Sequence, residues 1–400
     1  MITSPTPRRD AASTAGTVSE VFVTFLRLGL TSFGGPVAHI GYFREALVVQ
    51  RHWVSEQVFS ELLSLTQFLP GPASSQLGFA LGLMRAGWAG ALAAFLAFTL
   101  PSALLLVLFA QVQPDLLNAT GGAALRGLKL VAVCVVAQAL FSMARQLTPD
   151  MPRICIALAS AALVLLQDSA WAQLLAMLVS AAAGAVICRL PAVPTPVTLQ
   201  GNRKLAMVLL VIFTVTLLGS LTLDTGYALL DAAAGFYRAG ALVFGGGHVV
   251  LPLLEQSVVE PGLVSPEEFL AGYGAAQAIP GPMFSVAAYL GAKLGGYAGA
   301  SLCLAAIFLP GFLILGAALP MWSRLTADRR TRAAFAGVNA GVVGLLAAAF
   351  WTPVCSEAIA QPSDVLIAAI GLGLARAKLS SLWVVVWCVA ASIGRGLWTS

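Results

Sequence analysis

Charged residues are scarce in this chain of 400 residues, at 10 % of the sequence, where soluble domains carry about 25 %. Hydrophobic residues make up 59 %, and apolar runs long enough to cross a bilayer recur between residues 90 and 393. The alternating pattern of a membrane β-barrel is missing from the sequence. We therefore expect an all-α polytopic membrane protein. Its net charge of +5 is spread between apolar runs, which indicates topology signals and not nucleic-acid binding.

Residue types that carry redox or metal chemistry are also few. The six cysteines have no C-x-x-C spacing, and the three histidines form no H-E-x-x-H motif. Haem-attachment, G-x-G-x-x-G and G-x-S-x-G motifs are missing as well. The sequence thus predicts no cofactor, no metal and no enzyme activity. Carboxylates are rare within the apolar segments, which favours an anionic over a cationic substrate.

One glycine and proline pattern occurs twice, about 210 positions apart. The two copies are Phe33-Gly34-Gly35-Pro36 with Gln67 and Pro70-Gly71-Pro72, and Phe244-Gly245-Gly246-Gly247 with Gln277 and Pro280-Gly281-Pro282. Helix-breaking clusters at matching places in two apolar halves are typical of transporters whose broken helices surround a site near the bilayer midplane. The pattern therefore predicts a transporter.

The two halves are expected to be duplicated and inverted. Further identities, such as Arg27 with Arg238 and Pro101 with Pro310, keep the offset between 209 and 211. The loop 111–123 has no lysine or arginine, whereas its counterpart carries four arginines over 324–332. Because cytoplasmic loops collect positive charge, the two halves are predicted to lie upside down relative to each other.

This inversion defines the expected architecture. Each repeat has two re-entrant or broken helical hairpins and about four spanning helices, and one extra helix joins the repeats, which gives about nine full crossings. The expected division is a disordered cytoplasmic tail 1–19, a first repeat 20–190, a linker 191–226 with one transmembrane helix, and a second repeat 227–400. The N-terminus is expected in the cytoplasm and the C-terminus in the periplasm. The run 154–167 is short for a full crossing.

The two proline–glycine–proline elements suggest an anion site. A helix that restarts after Pro72 or Pro282 presents free N–H groups and the positive end of its dipole. The simpler alternative is that each element only turns a hairpin tip. The glycines and neutral donors predicted to bind substrate are Gly34, Gly35, Gly71, Ser74, Ser75, Gly245, Gly246, Gly281, Ser285, Gln67 and Gln277.

Basic residues inside apolar segments are further candidates. Arg27 and Arg238 could hold a dianion, or they could extend to a nearby membrane interface. His248 is a candidate proton-coupled donor, and His39 a candidate pathway residue, with a hydrogen-bonded structural histidine as the alternative for each. Lys129 and its counterpart Asn339 are predicted to line the pathway, unless Lys129 extends to the interface.

The four motif blocks together resemble the chromate ion transporter family in its long two-domain form. The resemblance covers residues 20 to 395, and the departure from symmetry is Pro36, which becomes Gly247 in the second half. It implies a multi-pass protein of the bacterial inner membrane that exports chromate and confers chromate resistance. The implied partners are chromate, sulfate as a similar anion, and membrane lipid. A homodimer is expected from the general habit of membrane carriers.

Three other functions stay open at this point. A carrier of sulfate or another small dianion on the same scaffold is the first alternative, because chromate and sulfate are both tetrahedral dianions. A membrane-embedded chromate reductase is the second, although the missing cofactor motifs argue against it. A membrane scaffold is the third, and it would leave paired arginines and broken helices inside the bilayer without a use.

Overall fold

The structure is a computed structural model, and every regular element that it describes is a helix. The described residues are 16–33, 35–112, 119–167, 170–188, 202–222, 225–243, 250–321, 328–377 and 381–399. Most of the predicted tail 1–19 lies outside these ranges, although the first helix already begins at Val18. The start of the predicted linker also lies outside them.

Seven helices form the described part of the first half. They are α1 (Val18–Thr31), α2 (Gly35–Phe43, continued by a π-helical turn over Arg44–Gln50), α3 (Glu56–Phe68), α4 (Ala73–Val112), α5 (Ala119–Leu147), α6 (Met151–Leu166) and α7 (Ala170–Ile187). Local sequence sets the helix starts. The side chains of Thr17 and Ser55 accept hydrogen bonds from the first-turn amides of α1 and α3, which is the usual N-cap interaction.

The second half repeats this order after a linking helix, α8 (Arg203–Thr222). Its helices are α9 (Ala228–Leu242), α10 (Val250–Val258), α11 (Pro266–Ala278), α12 (Val286–Ala318, with 3₁₀ turns over Met283–Ser285 before it and Leu319–Met321 after it), α13 (Arg329–Ala349, continued by a π-helical turn over Phe350–Cys355 and a short helical turn over Ser356–Ala358), α14 (Pro362–Arg376) and α15 (Ser381–Thr399). A capping box between Ser265 and Glu268 begins α11, the counterpart of α3.

The long helices α4 and α12 each contain a sharp break. The backbone leaves helical geometry at Ala86 and Gly87 in α4 and at Gly295 and Gly296 in α12. Beyond each break the chain folds back, so that a Cβ on Gly82 would lie 2.6 Å from the carbonyl oxygen of Gly90. The segment 73–85 therefore pairs with α3 as a re-entrant hairpin, and 88–112 forms a separate span. The same arrangement recurs in the second half.

The two halves exchange packing partners. Helix α5 of the first half packs against α14 and α15 of the second, while α13 packs against α6 and α7 of the first. Two equivalent glycines allow these contacts. A Cβ on Gly127 would lie 2.6 Å from the Cα of Val389, and one on Gly337 would lie 2.1 Å from the carbonyl oxygen of Ser180. Such close backbone approach through small residues is typical of membrane helix pairs.

The corresponding helices α4 and α12 pack against each other in opposite directions. The ring centroids of Phe95 and Phe308 lie 5.0 Å apart, and Gln111 Nε2 donates to the Tyr297 hydroxyl at 2.8 Å. The residue number thus rises along one helix as it falls along the other. The predicted fold class, two inverted helical repeats with broken hairpins and one linking helix, is confirmed.

Five helices in the described ranges are long and apolar enough to cross a membrane: α4, α5, α8, α12 and α13. The other four predicted crossings fall on α6, α7, α14 and α15, which have 16, 18, 15 and 19 residues. At 1.5 Å per residue, α6 measures about 24 Å against a hydrocarbon core of about 30 Å. The linking helix α8 exposes side chains such as Met207 and Val215, as expected of a lipid-facing helix.

Inversion predicts that the ends of the two long spans lie on opposite sides of the membrane. In a cysteine-free background, we expect Val112→Cys to react with a membrane-impermeant maleimide in intact cells. We expect Met321→Cys to react only in everted vesicles, because its neighbouring loop is arginine-rich. Both native side chains are exposed, so neither substitution disturbs the core. Labelling of both cysteines from the same side would contradict the inverted topology.

Candidate anion-binding site

The two proline–glycine–proline elements form sharp elbows between hairpin legs. Gly71 has a φ of +120° and Gly281 a φ of +106°, and both are buried. Residues with a Cβ rarely adopt this backbone geometry, which explains why glycine stands at each tip. We call residues 69–72 elbow one and residues 279–282 elbow two.

Each elbow is held by the break in the first hairpin of the other half. The amide of Gly71 donates to the carbonyl of Val243 at 2.7 Å, and the amide of Gly281 donates to the carbonyl of Ser32 at 3.1 Å. Val243 is the C-cap residue of α9 and Ser32 is that of α1, so the two hydrogen bonds are equivalent under the repeat. The elbows therefore tie the two halves together through main-chain groups.

The elbows lie about midway along the spans of the opposite half. A Cβ on Gly281 would approach Ser102 Oγ at 2.8 Å and the carbonyl oxygen of Phe98 at 3.4 Å, in the middle of the span 88–112. A Cβ on Gly71 would approach the Cα of Gly311 at 2.9 Å, in the equivalent part of α12. Non-helical backbone at such depth is tolerated only where protein or a polar cavity surrounds it.

A helix begins directly after each elbow. The first intrahelical bond of α4 runs from the amide of Gln76 to the carbonyl of Pro72 at 2.9 Å, and Ser285 bonds likewise to Pro282 at 3.0 Å. The amides before these positions have no carbonyl of their own helix to bond. Each elbow thus directs the positive end of a helix into the protein interior, where an anion is stabilised.

Polar side chains of the first half surround these helix starts. His39 contacts Ser74 Oγ through Nδ1 at 3.4 Å and the carbonyl of Ser32 through Nε2 at 3.3 Å. Gln76 Nε2 donates to the carbonyl oxygens of Pro70 and Gly311, both at 2.8 Å. The imidazole therefore bridges the break after α1 to the first turn of α4, and the amide joins elbow one to the second half.

A serine pair stands beside elbow two. Ser102 Oγ and Ser285 Oγ lie 2.6 Å apart, and Ser102 also donates to the carbonyl of Thr99 at 2.9 Å. Since a serine has one hydroxyl proton, Ser285 is then the donor within the pair. The buried hydroxyls of Ser32, Ser75 and Thr99 have no hydrogen-bond partner among the described residues, and the same holds for Gln76 Oε1.

The predicted amide donors differ between the halves. Gln277 is buried, and its Nε2 approaches the sulfur of Met283 beside elbow two. Gln67 is exposed on α3. Gly35 lies at the start of α2 with a φ of +74°. Four other predicted residues, Gly34, Gly245, Gly246 and His248, lie outside the described residues.

The predicted charges lie away from the contacts of the elbows. Arg27 is on the exposed face of α1. Arg238 is half-buried on α9, where its guanidinium donates to the carbonyl of Ser220 at the end of α8. Lys129 forms an ion pair with Glu267 at 3.6 Å, and its counterpart Asn339 is half-buried on α13.

Four residues at this site were not predicted from the sequence: Ser32, Gln76, Thr99 and Ser102. Each is a neutral polar residue in an apolar segment, and each has an apolar or glycine counterpart in the second half: Val243, Val286, Phe308 and Gly311. Comparison of the two halves residue by residue would have identified them as polar departures from the repeat.

Substitution of the elbow glycines tests how closely the halves pack. We expect Gly71→Ala and Gly281→Ala to lower the unfolding midpoint of the detergent-solubilised protein, because the new Cβ would meet the other half. Gly87→Ala is the matched control, since Gly87 also has a positive φ but nothing within 4 Å of a Cβ. The free energy of unfolding should fall by about 1–3 kcal/mol more in the elbow variants than in the control. Equal losses would show that backbone strain alone matters.

Similarity to known proteins shows the family to which the chain belongs. A family model described as Chromate transporter matches residues 19–185 and again residues 230–394. The chromate transport protein of Pseudomonas aeruginosa is 29 % identical over 389 residues, which are 94 % of this chain and 91 % of that protein. The chromate transport protein of Cupriavidus metallidurans is 27 % identical over 94 % and 92 % of the two chains. The probable chromate transport protein of Synechococcus elongatus is 29 % identical over 81 % of each. No solved structure matches the chain. The chain belongs to the chromate transporter family.

Proposed function

We propose that this protein exports chromate from the bacterial cytoplasm and so gives chromate resistance. The observation that carries the proposal is the pair of buried helix starts midway along the spans, one after each elbow. The described side chains that contact the elbows are neutral, such as Gln76 and Ser102, and none is a carboxylate. Main-chain amides and hydroxyls of this kind suit a tetrahedral oxyanion.

The membrane potential alone is sufficient to drive this export. One elementary charge gains about 2.3 kcal/mol per 100 mV, so a dianion leaving a cell with a negative interior gains about 4.6 kcal/mol. Proton coupling is a second route to the same export. We further propose that the protein lies in the inner membrane, with its N-terminus in the cytoplasm and its C-terminus in the periplasm.

The arginines are proposed to attract the anion toward the elbows. Arg27 is about one and a half helical turns before the break at Ser32. Arg238 has the same position relative to Val243, although its guanidinium reaches the carbonyl of Ser220 at the end of α8. A charge within such an apolar segment is costly, which favours a role on the substrate pathway. Lys129, although it is paired with Glu267, and Asn339 are proposed as more distant parts of that pathway.

Transport into everted vesicles tests the proposed direction. We expect vesicles that contain the protein to accumulate hexavalent chromium when energised, and empty vesicles to accumulate none. A protonophore with and without a clamped potential separates potential-driven from proton-coupled export. Competition by sulfate measures the preference between the two dianions. Trivalent chromium in the vesicles would instead support a reductase, and failure to accumulate chromium would contradict the export proposal.

The same vesicles test the role of Arg238. Arg238→Gln keeps a donor for the carbonyl of Ser220 but removes the charge, whereas Arg238→Lys keeps the charge. We expect the glutamine variant to lose chromate uptake and the lysine variant to keep most of it, at unchanged protein levels. Full uptake by Arg238→Gln would show that the charge of Arg238 has no part in anion transport.

A further inference from the structure

The two halves place equivalent backbone around the elbows but equip it with different side chains. At five positions of the repeat, a polar residue in the first half corresponds to an apolar residue in the second. The pairs are Ser32 and Val243, His39 and Val250, Ser74 and Phe284, Gln76 and Val286, and Thr99 and Phe308. All ten side chains are buried. The symmetry of the fold is therefore not shared by the chemistry of the site.

Three hydroxyls on the polar side lack a hydrogen-bond partner among the described residues. They belong to Ser32, Ser75 and Thr99, whose exposed fractions are 0 %, 3 % and 1 %. Unpaired polar groups at such burial are unfavourable and rare in folded proteins. Ser32 follows α1, Ser75 stands in the first turn of α4, and Thr99 is next to Phe98 in the span that elbow two contacts. Three such hydroxyls on elements that meet at the helix breaks favour a ligand that accepts their hydrogen bonds.

The repeat explains why Ser75 has no partner. Its counterpart Ser285 pairs with Ser102 at 2.6 Å. The position equivalent to Ser102 in the second half is Gly311, which offers no hydroxyl to Ser75. Because Gly311 stands where a serine would be needed, the Ser75 hydroxyl is left free to donate. It lies in the first turn of α4, which also carries the unpaired amides.

The opposite side of the same region is aromatic. Phe284 and Phe308 lie 5.9 Å apart between ring centroids, and Phe308 stacks on Phe312 at 6.1 Å. Phe95 of the first half packs against this group. These rings provide no hydrogen-bond donor for an oxyanion, although they can close one side of a site against water.

We propose that the oxyanion binds on one side only, to the hydroxyls of Ser32, Ser75 and Thr99 and to the first-turn amides of α4. The aromatic group of the second half forms the apolar wall of this single site. The inference rests on the proposed transport of chromate and deepens it. One chain then holds one anion, whereas two chemically equal elbows would hold two.

Direct binding to the purified full-length protein tests this assignment. Equilibrium dialysis with radiolabelled chromate should give one bound anion per chain. Ser32→Ala, Ser75→Ala and Thr99→Val should each raise the Kd at least about tenfold, the effect of losing one hydrogen bond to a charged group. Their unfolding midpoints without chromate should stay equal to wild type or rise, because each variant removes an unpaired buried hydroxyl.

Ser392→Ala is the matched control. Ser392 is also a buried serine whose hydroxyl has no hydrogen-bond partner among the described residues, and it lies on α15, which makes none of the elbow contacts described above. We expect its Kd to equal that of the wild type. Wild-type binding of two anions per chain, or unchanged Kd values in all three hydroxyl variants, would overturn the one-sided site while leaving chromate export intact. A wild-type protein that neither binds nor transports chromate would instead refute the proposed function itself.

Discussion

Two exchanged main-chain hydrogen bonds connect almost every feature of this protein. The amide of Gly71 reaches the carbonyl of Val243, and the amide of Gly281 reaches the carbonyl of Ser32, so each elbow depends on the other half for its position. A broken helix in a bilayer must pair its freed backbone groups within the protein, because lipid offers no hydrogen bonds. Here an inverted copy supplies the partners. The exchange of α5 and α13 between the halves extends the same interlocking to the outer helices.

The repeat provides the framework, and the differences between its two copies provide the proposed site. Identical elbows need identical glycines, since a Cβ on Gly71 or Gly281 would meet the opposite half. The side chains around them can differ more, because the two exchanged hydrogen bonds that hold both elbows are made by the main chain, and the Gln76 side chain adds its bonds at elbow one only. The scaffold is symmetric, but its buried side chains are not. One half carries serine, threonine, glutamine and histidine where the other carries valine and phenylalanine. An alternating-access carrier can keep its binding groups on one repeat while both repeats move around them.

Much of the architecture could be predicted from the sequence, because glycine and proline mark backbone breaks regardless of context. The repeat offset and the opposite loop charges gave the inverted arrangement of α4 and α12. The partners of the elbows could not be predicted, since Gln76 meets Gly311 across 235 positions of sequence. The face of α1 that is exposed, and on which Arg27 lies, was not predicted either. The structure places this arginine on the exposed face of α1.

Anomalous diffraction at the chromium absorption edge, from crystals grown with saturating chromate, would locate the bound anion relative to the two elbows. We expect one chromium peak per chain, beside the first turn of α4, with a chromate oxygen within hydrogen-bond distance of Ser75 Oγ. A peak beside Phe284, two equal peaks at the two elbows, or a peak at Arg27 or Arg238 alone would contradict it.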